Sequence, residues 1–166
     1  AGHVNPTTGG GIAGAAYAGT YAGQQIVHAI GEGDVSEESL WRYNERVMDH
    51  FGGRYAGLDV YNILSTAVDV DDLMGLLASL PGEKLAEALY SGTTSFGPVL
   101  AAKTAKDSFG YWGQIRNFYK TKQVADELME HYARYPGRPE ALEVWQEQRD
   151  DLMDDVYAVT GADPKY

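Results

Sequence analysis

The chain has 166 residues, 44% apolar, 11% aromatic and 22% charged, a size and composition for one folded domain with a real core that exclude a disordered or collagen-like chain. Lysine and arginine total 13 against 24 aspartates and glutamates, a formal charge of −11, which excludes a free-standing nucleic-acid binder and broad polybasic attachment to anionic lipid. The absence of cysteine removes any disulfide framework, thiolate nucleophile or cysteine-ligated metal centre.

The sequence opens Ala1-Gly2-His3, with no initiator Met, basic leader or apolar stretch, so no signal peptide is expected. No apolar run approaches the roughly 20 residues that span a bilayer. Residues 1–11 read as a loop, with Asn5-Pro6-Thr7-Thr8 as turn chemistry and Gly9-Gly10-Gly11 allowing close backbone approach. A chain that begins inside such a motif is expected to continue upstream.

Ile12, Ala16, Gly19, Gly23, Ile26, Val27 and Ile30 recur at helical spacing and predict a helix over residues 12–30, closed by Gly31 and Gly33. Glycine inside a helix costs up to about 1 kcal/mol relative to alanine. Gly14, Gly19 and Gly23 therefore point to tight packing against a sheet or a ligand. Ser36 is the N-cap of the next helix, with Glu37 and Glu38 in its first turn. Leu40, Tyr43, Asn44, Val47, Met48 and Phe51 form its apolar stripe, and Gly52-Gly53 is expected to end it.

Residues 54–66 fit either a helix or an irregular packed segment. Asp69 to Asp72 precede a short helix with Leu73, Leu76, Leu77 and Leu80, Pro81 either stops it or begins the next, which runs to about Tyr90, Gly92 to Ser95 is a loop, and Phe96 to Phe109 is helical. A helical hairpin closes the chain. Its first arm places Ile115, Phe118, Tyr119, Lys122, Ala125, Met129 and Tyr132 on one face, Pro136-Gly137-Arg138-Pro139 breaks it, and the second arm carries Leu142, Trp145, Arg149, Leu152, Met153 and Val156. No stretch alternates as a half-buried strand does, so the chain is mainly α. Nine of the 20 glycines fall within residues 1–33, which places the one domain boundary there: residues 1–33, then a helical region over 34–166.

The glycine run holds most of the chemistry. Backbone N–H groups at a helix start have no partner within the helix and carry partial positive charge, so Gly9-Gly10-Gly11-Ile12 suits an anion or a polarised carbonyl. It is neither a GxGxxG turn after a strand nor a P-loop, because no Gly-Lys-Ser/Thr follows. On spacing alone, a tight turn before a helix remains an equal explanation.

The whole string Ala1-Gly2-His3-Val4-Asn5-Pro6-Thr7-Thr8-Gly9-Gly10-Gly11-Ile12-Ala13-Gly14-Ala15 closely resembles the second FAD-binding motif of the geranylgeranyl reductase family, whose flavoproteins are related in fold to para-hydroxybenzoate hydroxylase. The resemblance is close over about residues 1–30 and looser over the helical remainder. It implies that this chain is the C-terminal part of an α/β flavoprotein with a Rossmann-like FAD-binding fold, in which residues 1–33 form an FAD-contacting loop and its following helix. It further implies that Pro6 turns beside the isoalloxazine, and that Gly9, Gly10, Gly11 and Ile12 form the cofactor-binding run. The N–H groups of Gly10, Gly11 and Ile12 would face the flavin N1–C2=O edge, where a helix N-terminus favours the negative charge of reduced flavin.

The implied reaction is saturation of carbon–carbon double bonds in geranylgeranyl chains of archaeal ether-lipid precursors. Its partners would be an isoprenoid lipid and a reduced electron donor, with no nucleic acid, in a cytoplasmic protein touching the membrane periphery. No proton donor is apparent in the sequence. A quinone-linked dehydrogenase, a monooxygenase or a halogenase would keep the FAD and change the chemistry; a helical interaction module would dispense with both. The 166 residues alone are expected not to retain FAD tightly, because the adenosine half of its site would lie upstream.

The other candidates read as structure. His3 is a variable loop residue, and His28, His50 and His131 lack ligand spacing. Asp69-Val70-Asp71-Asp72 lacks the glycine and distal glutamate of an EF-hand and reads as helix capping, so no metal is expected. Tyr55, Tyr61, Phe96, Phe109, Tyr111, Trp112, Phe118 and Tyr119 read first as core and secondly as the lining of an isoprenoid tunnel. Thr93 to Pro98 has no base beside it and stays a loop. Lys103, Lys106, Arg116, Lys120 and Lys122 read as a solvated face, with contact to a lipid phosphate or redox partner as the alternative.

Overall fold

The computed structural model describes residues 3–71, 74 and 112–164, with the side chains of 112, 114 and 115 outside that description. All regular structure among the described residues is helical: α1 (Ile12–Glu32), α2 (Glu37–Val47), a π-helical turn (Met48–Gly52), α3 (Gly53–Ala67), α4 (Trp112–Tyr132), a 3-10 turn (Pro139–Ala141) and α5 (Leu142–Thr160). The expected helices over residues 73–109, the 92–95 loop, Lys103 and Lys106 lie outside the described residues.

α1 runs through Gly31 and stops at Gly33, whose φ of 72° turns the following Asp34 N–H back to the Ala29 carbonyl at 2.9 Å. Ser36 caps α2 as expected, its hydroxyl accepting from Ser39 N–H at 3.2 Å. Ser36→Ala is expected to lower stability by about 1 kcal/mol in equilibrium denaturation.

Gly52-Gly53 does not end α2. The chain passes from α2 through the π turn into α3 with Gly53 right-handed, at φ −59° and ψ −47°. These glycines admit a neighbour instead of stopping a helix. A Cβ on Gly53 would lie 3.2 Å from the Met129 carbonyl oxygen, and one on Gly52 would lie 3.2 Å from the Tyr132 ring. The segment left open over residues 54–66 is thus helix α3, packed chiefly on α4.

The main core joins α3, α4 and α5 through Ala56, Val60, Val124, Ala125, Leu128 and Val156. A second cluster joins α1 to the π turn through Ala18, Val47 and Phe51, flanked by Tyr21, Tyr43 and Tyr55. The hairpin is present, but α4 turns Thr121, Val124, Ala125, Leu128 and His131 inward, a face rotated from the expected one, and leaves Tyr119 exposed. Two polar residues tolerate that burial because they are bonded. Thr121 donates to the Asn117 carbonyl, while His131 Nε2 lies 3.0 Å from the Trp145 carbonyl oxygen.

Of the three helix glycines expected to pack tightly, only Gly14 does. A Cβ there would run into the His3 carbonyl oxygen, whereas among the described residues nothing lies within 4 Å of one at Gly19 or Gly23. No described helix is long and apolar enough to cross a membrane.

Candidate functional site

Asn5 shapes the loop ahead of α1. Its side-chain Oδ1 accepts from Thr7 and Thr8 N–H at 2.9 and 3.0 Å, its carbonyl accepts from Gly9 N–H at 2.9 Å, and its own N–H donates to the Gly10 carbonyl at 3.0 Å. One side chain and its peptide groups therefore close the turn around Pro6. Gly9 takes φ +67°, which a side chain would strain, and nothing lies within 4 Å of where its Cβ would be. The loop's inner edge rests on α1, where His3 covers Gly14 and Val4 lies against Gly11.

The start of α1 suits an electron-rich group. Gly11 is its N-cap, no side chain caps it, and no acidic residue occupies its first turn. Gly9, Gly10 and Ile12 are exposed, Ile12 at 92%. Gly10 N–H makes a long 3.3 Å bond to Thr8 Oγ1, so the freer donors belong to the first turn. Uncapped N–H groups with partial positive charge suit an anion or a polarised carbonyl. Of the expected cofactor-binding residues, Pro6 alone faces the cavity beneath the loop; Gly9, Gly10, Gly11 and Ile12 lie along its outer edge and the helix start.

That cavity, about 310 Å³ and open to solvent, is lined by Val4 and Pro6 from the loop, Val47, Met48, Phe51 and Gly52 around the π turn, Tyr55, Ala56 and Asp59 from α3, and Tyr132 from α4. Single-turn π segments recur at functional sites because the extra residue per turn re-aims side chains. Among these lining groups Asp59 is the only carboxylate. Burial pushes it up from the usual aspartate value, and a hydrogen bond from the Asn62 side chain offsets part of that rise. Burial also raises the Tyr132 hydroxyl; Arg149 opposes the rise, and Asp59 and Asp150 add to it.

A raised aspartate holds its proton more tightly in the folded chain than in the unfolded one. The stability it contributes is present at acid pH and is lost as pH rises from the ordinary aspartate pKa through the raised one. Asp59→Asn is therefore expected to gain thermal stability relative to wild type as pH goes from about 4 to about 7, read as the difference between the two melting temperatures. A constant difference would contradict the assignment.

Asp59 is absent from the sequence-based candidates, although one signal was present. It interrupts the apolar run Leu58-Asp59-Val60 and continues the helical spacing of Tyr55. Two further polar atoms are buried without hydrogen-bond partners among the described residues, His3 Nε2 and Arg54 Nε. His3 sits edge-on to Phe51 at 6.4 Å.

The other described candidates, His28, His50 and Asp69, do structural work or face solvent. His28 is exposed. His50 stacks on Phe51, with Nδ1 2.7 Å from the Tyr21 hydroxyl. Asp69 Oδ1 accepts from Asp71 N–H at 2.9 Å, as a cap does. Among the described residues no three side chains are grouped to hold a metal. Of the described aromatics proposed for a tunnel, Tyr55 lines the cavity, while Tyr61 and Phe118 pack against each other, ring centroids 5.7 Å apart. Arg116 and Lys120 flank a separate shallow pocket with Asp69 and Thr160, and Lys122 pairs with Asp126.

No protein-family model matches the chain. Over 155 residues, 90% of its length, it is 29% identical to a protein of Sulfolobus acidocaldarius named digeranylgeranylglycerophospholipid reductase, of which the match covers 34%. Over 76 residues, 46% of the chain, it is 37% identical to digeranylgeranylglycerophospholipid reductase 1 of Methanococcoides burtonii, covering 19% of that protein. The chain thus spans about a third of the length of the first relative. The chain is a homologue of proteins named digeranylgeranylglycerophospholipid reductase.

Proposed function

We propose that the chain is the C-terminal part of an FAD-dependent reductase that saturates carbon–carbon double bonds in the geranylgeranyl chains of ether-lipid precursors. The observation that carries this reading is similarity over 90% of the chain to a reductase named for that lipid. It is supported by a glycine loop whose following helix starts without a side-chain cap.

In this reading residues 1–33 belong to a Rossmann-like FAD-binding domain and residues 34–166 form a helical region beside it. When bound, the reduced flavin supplies hydride. The protein's own part is to hold the loop in one shape through Asn5, to set Pro6 beside the ring, and to present the backbone N–H groups of Gly11 and Ile12 to its negative edge. A pre-organised donor set aimed at developing charge needs no reorganisation during the reaction. Gly9 and Gly10 keep the approach free of side chains. The mainly apolar cavity next to Pro6 takes part of the isoprenoid chain. A reduced electron donor would supply the flavin's electrons, and the protein would work on the cytoplasmic side at the membrane periphery.

The test is to purify the full-length protein, record its flavin spectrum, and incubate the dithionite-reduced protein with dispersed digeranylgeranylglycerophospholipid. Copurifying flavin and lipid product heavier by two hydrogens per reduced bond are expected. A protein that stays colourless after FAD supplementation, or returns the lipid unchanged, sinks the reading.

A further inference from the structure

Arg116 and Lys120 stand one turn apart on α4, at the far end of α3 from the cavity beneath the loop. We propose that the pocket they flank, between the end of α3 and the start of α4, binds the phosphate group of a phosphate monoester through Arg116, Lys120 and Asn117.

Charge pairing carries the inference. Elsewhere on α4 and α5 the cations meet carboxylates: Lys122 pairs with Asp126, and Arg149 with Asp150. Arg134, just past α4, pairs with Glu130. Among the described residues neither Arg116 nor Lys120 has such a partner, in a chain whose formal charge is −11. Like charges one turn apart weaken a helix, and an anion held between them reverses the sign. Asn117 lines the same pocket half-buried. Its carbonyl accepts from Thr121, while its side-chain amide is unengaged among the described residues. α4 also starts here, with Gly113 on the pocket wall and no acidic residue in the first turn, so the positive end of the helix adds to the field.

Two cations and an amide suit a phosphate monoester better than a carboxylate. The ester carries nearly two charges at neutral pH, a guanidinium takes two oxygens side by side, and an ammonium takes a third. A volume of about 410 Å³ leaves room for the group that bears the phosphate. Asp69 on the wall opposes any anion, although its Oδ1 is held by the Asp71 N–H. The source of the ester rests on the reductase reading above, in which it is the headgroup of the lipid. Asp59 of the loop cavity and Ala67 of this pocket lie eight residues apart on α3, about 12 Å of helix, a span that an extended isoprenoid chain covers. A free phosphate compound offers the same chemistry.

The test titrates the full-length protein with glycerol phosphate by calorimetry, comparing wild type with the double variant Arg116→Gln/Lys120→Gln, with Asp69→Asn and with Lys122→Gln. The double variant is expected to lose at least about tenfold in affinity, since two charge-assisted bonds are removed. Asp69→Asn is expected to bind more tightly, and Lys122→Gln, which removes a cation already paired, to match wild type. Arg116 and Lys120 also stand near the C-terminal ends of α3 and α5, which stop at Ala67 and Thr160. Were that their whole role, the double variant would melt lower, and glycerol phosphate would bind every variant alike or none. Either titration result overturns the proposal. Two further arms locate the source. With the lipid as source, KM for dispersed digeranylgeranylglycerophospholipid rises about tenfold in the double variant at unchanged kcat, and wild type shows that higher KM towards the diether lacking phosphate. With a free phosphate compound as source, glycerol phosphate affinity falls as stated and the lipid KM stays. The titration needs no turnover, so wild-type protein that binds glycerol phosphate and leaves the lipid unchanged ends the reductase reading and keeps the phosphate pocket.

Discussion

Trp145→Ala is expected to lower the unfolding free energy by about 3–5 kcal/mol, the range for removing a buried large aromatic. Trp145 is 7% exposed and is the hub of the hairpin. Its ring stacks on His131 at 4.7 Å and meets Tyr132 and Tyr135 edge-on at 5.0 and 5.1 Å, while its indole N–H donates to the His131 carbonyl at 3.3 Å. Alanine removes the packing and the donor together. Trp145→Phe restores most of the packing and leaves the His131 carbonyl short of one donor, so its cost is expected to be nearer about 1 kcal/mol. Equilibrium denaturation of both variants checks this. A cost below about 1 kcal/mol for the alanine variant would mean that α4 and α5 are held together elsewhere.

Gly14→Ala carries the second large effect, and its sign runs against helix propensity. Alanine in a helix interior normally gains up to about 1 kcal/mol over glycine. Here the new methyl group meets the His3 carbonyl oxygen, a backbone atom that cannot swing aside, so the 3–11 loop must lift off α1. A net loss of about 1–3 kcal/mol is expected, as for overpacking. Under the proposed function flavin affinity falls at least about tenfold with it, since about 1.4 kcal/mol of lost loop placement is a factor of ten. Gly19→Ala and Gly23→Ala are the controls. Among the described residues nothing lies within 4 Å of a Cβ at either position, and in this chain both are expected to stabilise the helix by about 0.5–1 kcal/mol. Denaturation and flavin titration of the three variants separate loop placement from helix propensity.

How much of this was legible beforehand depended on what each residue's signal could mean. α1 and α2 followed from apolar spacing and the Ser36 cap, since both are local properties. Gly52-Gly53 was not legible in the same way. Glycine at a helix stop and glycine at a close approach look alike along the chain, and only the Met129 carbonyl and the Tyr132 ring decide between them. The inward face of α4 was misplaced because Thr121 and His131 read as polar. Their hydrogen bonds to Asn117 and Trp145 make burial tolerable, and those partners come from the fold.

The candidate site divides along the same line. The loop was visible as a string, while the part played by Asn5 was not, because one side chain and its peptide groups serve four bonds only once the turn is closed. Asp59 was hidden for a different reason. An acid in an apolar run marks either a solvent-facing helix position or a cavity wall, and the choice rests on α4 bringing Tyr132 across from it.

The proposal that this loop holds a flavin serving alkene reduction is tested most directly by anaerobic reoxidation. Full-length protein is reduced with dithionite until its flavin absorbance is bleached, excess reductant is removed, and digeranylgeranylglycerophospholipid is added without oxygen. The expected result is return of the oxidised flavin spectrum in step with saturation of the lipid. A flavin that stays bleached in the presence of the lipid, or a protein with no flavin to bleach, would contradict it.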